Sequence, residues 1–163
     1  MFEVTVSFFA SFPHWLATFL MAMTPIGELR LSIPVAFLAY QMPVWSVMLL
    51  SIVGTLVPAA VIMLFARPFH NWVEKNSGFL ARGWVKVLRH VQEKFSGRHE
   101  KYGLAVLLII FSVPFPGFGA WSGGLAAFVF GIPLRRAWPY ALTGTIIAAL
   151  LTLFITVGAD KIF

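Results

Sequence analysis

The sequence contains no cysteine, which excludes disulfides, thiolate metal sites and cysteine nucleophiles together. Acidic residues are scarce as well: 6 Asp and Glu stand against 12 Lys and Arg in 163 residues, and charged residues make up only 11% of the chain. The histidines, His14, His70, His90 and His99, form no i, i+4 pair, so no metal site is expected. No Ser-His-Asp arrangement, phosphate-binding loop or paired carboxylate motif is present, and Asp160 lies at the far end. The chain is therefore not expected to be an enzyme or to use a cofactor. A basic N-terminal region and a small-x-small cleavage site are also missing, with Glu3 where a signal peptide would be positive. The first apolar segment is expected to stay on the protein.

Apolar residues fill the space. They are 60% of the chain, against roughly 45–50% in ordinary globular proteins, and the mean hydropathy is +0.87. They lie in runs at 4–23, 44–66, 102–113, 120–133 and 137–158. Two of these, 44–66 and 137–158, reach the roughly 20 residues that cross hydrocarbon as a helix. The run 103–113 would rise only about 16 Å as a helix, half of a roughly 30 Å core, and so suggests a re-entrant arm. Residues 2–23 leave two readings open: one spanning helix kinked at Pro13, or a short arm entering from the far side.

The net charge of +6 does not point to nucleic acid, because the basic residues sit between membrane segments, where anionic headgroups are the nearer partner. Residues 67–101 hold eight of them against Glu74, Glu93 and Glu100, a balance of +5, and the positive-inside rule makes this segment cytoplasmic. Within it Leu80, Trp84, Val87, Leu88, Val91 and Phe95 recur at helical spacing, with Arg82, Lys86, Arg89 and Glu93 on another face. The spacing predicts an amphipathic helix over 79–95, read first as a topological anchor and second as a headgroup-binding surface.

At an offset of 90 the chain matches itself: Gly27 with Gly117, Ser32 with Ser122, Ala36 with Ala126, Pro43 with Pro133, Gly54 with Gly144, Thr55 with Thr145 and Ala59 with Ala149. This reads as an internal duplication. Each copy is a short arm, a Pro/Gly hinge, a second short arm and one spanning helix. The copies cover about 13–66 and 102–158 of a single membrane domain spanning 1–163, with hinges at 24–34 and 113–124. If the second hairpin enters from the cytoplasm and the first from the opposite face, ten of the twelve basic residues become cytoplasmic, all but Arg30 and Lys161. The expected fold is thus all-α, an inverted repeat of re-entrant hairpin plus transmembrane helix, with the amphipathic segment between the repeats.

Charge inside the apolar stretch marks the candidate site. Glu28 and Arg30 would each cost about 2.5–3.5 kcal/mol at the centre of a membrane helix. Being two apart, they can pair directly only if Pro25 and Gly27 break the helix. The functional reading makes Glu28 a reversible proton carrier and Arg30 its counter-ion or a clamp for an anionic group. The structural alternative is an ion pair that locks the hinge. The second hinge has no charge, but Pro114, Pro116, Gly117 and Gly119, with Gly123 and Gly124, bare the backbone, and a helix starting after them would aim free amides at an anion. Trp121 and Ser122 either line the same cavity or serve packing. Arg135 and Arg136 are topology signals first and headgroup contacts second. Pro34 closes the set of hinge residues.

These strings resemble a known family. Glu28-Leu29-Arg30 followed by Ile33-Pro34, and Lys101-Tyr102-Gly103 leading to Pro114-Phe115-Pro116-Gly117-Phe118-Gly119-Ala120-Trp121-Ser122-Gly123, look like the small multi-drug export proteins, over roughly residues 20–158. The family pattern often has Thr where Phe118 stands. That family is considered a distant relative of the DedA membrane proteins, so the resemblance implies two opposed re-entrant hairpins and a flippase or scramblase activity. The expected function is a small proton-coupled secondary transporter or flippase in the cytoplasmic membrane. Membrane lipids, protons and an anionic lipid or small-molecule substrate are its partners, and a homodimer could enclose the hinges. The alternatives are a gradient-independent lipid scramblase and a non-transporting scaffold built on the basic helix.

Overall fold

The computed structural model describes residues 12–25, 27–75, 100–114 and 119–160, and among these the chain is helical with no strand. The amphipathic segment 79–95, Pro116, Gly117 and the first eleven residues lie outside the described residues. The described residues form six helices in order: α1 His14–Met23, α2 Glu28–Pro34 continuing into a π-helical turn Val35–Ala39, α3 Val44–Lys75, α4 Glu100–Ser112, α5 Ala120–Val129 and α6 Leu134–Asp160.

Among the described residues two segments have membrane-crossing length and composition, Val44–Phe65 and Leu134–Ala159, matching the long apolar runs. The helices outlast those runs. α3 continues through Pro68 to Lys75, so the basic segment expected to begin at 67 starts inside a helix. Apolarity ends where hydrocarbon ends, whereas the i→i−4 ladder needs only the next residue to continue, and its 32 residues rise about 48 Å. Likewise α6 begins at Leu134 and takes Arg135 and Arg136 into its first turn.

The four shorter helices, the arms, run 7–13 residues over their described extent. α1 starts after Pro13, whose backbone is extended (φ −53°, ψ 139°). Pro34, expected in a hinge, lies inside a helical run. Its ring nitrogen cannot donate, and the chain re-forms its bonds as the wider π turn.

The arms wrap the two long helices in an interlocked pattern. α1 packs along α3 and α4 along α6, while α5 crosses onto α3 and α2 sits between α3 and α6. Small residues let the backbones approach: Ala59, Ala120, Ala127, Ala137 and Ala141 build one core with Leu107 and Phe111, and Ala36, Ala148 and Ala149 build another with Leu29, Ile33 and Val47. Gly54 and Gly144 do the same work 90 positions apart. A Cβ on Gly54 would lie 2.6 Å from the Phe19 carbonyl of α1, and one on Gly144 would lie 2.5 Å from Phe111 Cβ of α4. The turns before the long helices also agree at that offset. Gln41 (φ 49°) and Gly131 (φ 69°) are both left-handed. The carbonyls of Pro43 and Pro133 both accept the first helical amides that follow.

Candidate functional site

The first hinge is a tight break held by its own side chains. Thr24 takes an extended conformation after α1, donates its hydroxyl to the Met21 carbonyl at 2.7 Å and accepts the Gly27 amide at 3.2 Å. Gly27 has no room for a side chain: a Cβ would sit 2.9 Å from Leu31 Cβ and 3.0 Å from Thr24 Oγ1. Glu28 then opens α2 at φ 42°, a left-handed conformation that costs an ordinary residue of order 1–3 kcal/mol. Strain at a buried acid is a reason to ask what the carboxylate reaches.

It reaches the other hinge. α5 begins at Ala120 behind Gly119, which has no side chain to cap it. Glu28 Oε1 accepts the Ala120 amide at 3.0 Å, from 92 residues away in sequence, and the Trp121 amide also hydrogen-bonds the carboxylate. A charged cap at a partly buried helix N-terminus is worth up to about 2 kcal/mol. Glu28 is 8% exposed, so these bonds replace the water that burial removes. Arg30, half-buried two residues on, attracts the same carboxylate through its charge. Gly119 makes the approach sterically feasible: its φ is 138°, and a Cβ there would overlap Glu28 Oε2.

The clasp is reciprocal. Trp121 Nε1 donates to the Met23 carbonyl at 3.1 Å, so the second hinge closes the C-terminal end of α1 while the first closes the N-terminal end of α5. Ser122 turns back to the Gly119 carbonyl at 3.2 Å and therefore serves its own helix. Gly123 and Gly124, read from sequence as bared hinge backbone, lie inside α5 and serve packing. A Cβ on Gly123 would lie 2.5 Å from the Phe111 ring, and one on Gly124 3.2 Å from Ile62.

A small cavity lies at this junction. Glu28, Leu29 and Arg30 line it from α2, Phe111, Val113 and Pro114 from α4 and its end, Gly119 and Ala120 from α5, and Thr55, Thr145 and Ala148 from the long helices. Its volume is about 10 Å³, room for about one water. Pro25 is exposed at the turn, and neither it nor Pro34 lines the cavity. Arg135 and Arg136 are exposed at the start of α6, away from it. Sequence reasoning overlooked Thr55 and Thr145 as lining groups, although their Gly-Thr match at an offset of 90 was the signal that could have found them. Among the described residues no cluster of His, Asp and Glu could hold a metal ion.

Less than half of each long apolar window is buried, with Trp45 87% and Phe154 80% exposed. Water would not tolerate that surface and lipid would, which makes this an all-helical membrane protein. A family model described as "Putative small multi-drug export protein" matches residues 28–151, from the Glu28 hinge into α6, and the chain belongs to that family. No curated protein and no solved structure gives a significant match.

Proposed function

We propose that the protein is a proton-coupled secondary transporter of the cytoplasmic membrane that opens and closes around its two hinges, with Glu28 as the proton carrier and Arg30 as counter-charge. The observation that carries this reading is the Glu28 carboxylate seated on the first amides of α5. While ionised, the carboxylate is attracted to the positive end of α5 and ties the hinges together. Once protonated it keeps little of that attraction, and the clasp loosens. A cavity of about 10 Å³ admits no drug or headgroup, so a substrate must wait for the hinges to part. The family description names multi-drug export. When the clasp opens, freed amides and Arg30 suit an anionic headgroup or an anionic small molecule better than a cation.

The two halves are taken to be an inverted repeat of re-entrant hairpins, with 67–101 on the cytoplasmic side. Support comes from the left-handed turns at Gln41 and Gly131, the close approaches at Gly54 and Gly144, and the arms that exchange partners between the long helices. In proteoliposomes, an imposed pH gradient should drive movement of a labelled probe, taken from a panel of a cationic dye, a polyprenyl phosphate and a phospholipid. Glu28→Gln, which keeps the acceptor oxygen and loses the titration, should abolish the response. Movement that survives Glu28→Gln while thermal stability falls would make Glu28 a structural lock. Lipid movement that ignores the gradient would make the protein a scramblase.

A further inference from the structure

The hydroxyl of Thr145 stands out within its own helix. Thr143, Thr152 and Thr156 of α6 each donate to the carbonyl four residues back, at 2.8 Å in every case. This is the default for threonine in a helix that offers nothing else. Thr145 does not do so. It is 1% exposed, and its Oγ1 has no protein partner. A buried hydroxyl left without a partner costs roughly 1–3 kcal/mol, and turning back to its own helix would remove that cost.

The equivalent residue in the first half sharpens the contrast. Thr55, 90 positions earlier, donates to the Ala22 carbonyl at the end of α1, at 3.4 Å. The matching carbonyl for Thr145 belongs to Ser112, and that bond is not made. Ser112 Oγ is itself buried without a partner. The first half is satisfied by protein, while the second leaves donors for a guest. Thr145, Thr55 and Glu28 all line the same cavity, whose volume of about 10 Å³ suits a water molecule, which needs two to four polar partners.

We infer that this cavity is a water site that relays protons to Glu28, with Thr145 as its positioning residue. The water accepts from the Thr145 hydroxyl and donates to the Glu28 carboxylate, with the lone pairs of Thr55 as a further acceptor. A proton arriving at the water makes it hydronium. Transfer to a carboxylate oxygen then leaves neutral Glu28 and restores the water, so only O–H bonds form and break. Arg30 of α2 is the charged group facing the carboxylate. From α3, α4, α5 and α6 the described lining residues bring hydroxyls, amides and apolar groups but no further titratable side chain. The relay role rests on the reading of Glu28 as a proton carrier, whereas the water site does not.

Infrared difference spectroscopy on the full chain in detergent, comparing water with its oxygen-18 form across a pH titration, separates the two claims. The wild type should show a water O–H band that shifts with the isotope. Thr145→Val should lose it, and Thr145→Ser should keep it. Thr145→Ala provides a second variant if the valine protein folds poorly. An isotope-sensitive band that is absent from the wild type, or unchanged in both Thr145→Val and Thr145→Ala, overturns the site. If the band behaves as expected but no carboxyl band that disappears in Glu28→Gln titrates, the water site stands and the proton-carrier reading falls. If Glu28 titrates at the same pH in Thr145→Val as in the wild type, with proton uptake equally fast, the relay is overturned.

Discussion

The two hinges meet in one place and are built from opposite materials. The first carries an acid and a base, and spends backbone strain on Glu28 at φ 42° to turn the carboxylate inward. The second carries no charge in its described residues and gives up even a Cβ at Gly119, leaving the first amides of α5 bare. Neither makes sense alone. A buried carboxylate with no donors would be too costly to keep, and a helix N-terminus with no cap would leave amides unsatisfied in an apolar setting. On the duplication proposed above, the two halves differ at the point where they touch, one supplying the anion and the other its receptor. Elsewhere, at the turns of Gln41 and Gly131 and at the contacts of Gly54 and Gly144, they are alike.

The largest effect is expected where the two materials interlock. Gly119→Ala puts a methyl group where Glu28 Oε2 lies and forces alanine to φ 138°. Strain and overlap together should cost roughly 2–6 kcal/mol. Thermal unfolding in detergent should show a large loss for Gly119→Ala, and the double variant Gly119→Ala with Glu28→Ala should recover part of it, because the overlap is gone. No recovery would mean that backbone strain alone explains the glycine, and that the receptor role assigned to the second hinge is wrong.

What could be read from the sequence follows from how locally each feature is encoded. The long helices were legible because apolar runs of 44–66 and 137–158 need no partner to declare themselves. Glu28 and Arg30 were legible as charges in the wrong solvent, and the bared amides behind Gly119 as a place for an anion. That Glu28 itself would be the anion was not legible. The contact joins residues 92 apart and depends on how α2 and α5 approach, which no periodicity records. Pro34 was misplaced for a related reason: proline forbids one hydrogen bond, but packing of Ile33, Val35 and Ala36 into the core holds the chain helical past it. The unsatisfied Thr145 is likewise a property of tertiary contacts, visible only against the threonines around it.

A middle-sized effect tests how far the halves remain equivalent. Gly54→Ala and Gly144→Ala should each push an arm off its long helix and cost about 1–3 kcal/mol, a typical overpacking penalty. The two should be comparably sensitive, since the Phe19 carbonyl that Gly54 meets and the Phe111 Cβ that Gly144 meets are both fixed by the backbone. Melting curves of the two single variants and the double would check this. Strongly unequal losses would mean that the arms bear unequal loads, despite matching positions.

The smallest effect concerns the turns ahead of α3 and α6, where the comparison has a sign. Both turns are left-handed, but one uses Gln41 and the other Gly131. A non-glycine residue pays roughly 1–2 kcal/mol for that conformation, while glycine pays about 0.5–1 kcal/mol in lost chain entropy. Gln41→Gly should therefore be neutral to stabilising by up to about 1 kcal/mol, and Gly131→Ala destabilising by about 1 kcal/mol. Chemical denaturation of the two variants side by side resolves differences of this size. If both substitutions destabilised equally, side-chain contacts of Gln41 would have to outweigh its backbone strain, and the first turn would be held by something the second does not have. Opposite signs would instead mean that the turn geometry is common to both halves and that only the second has the residue best suited to it.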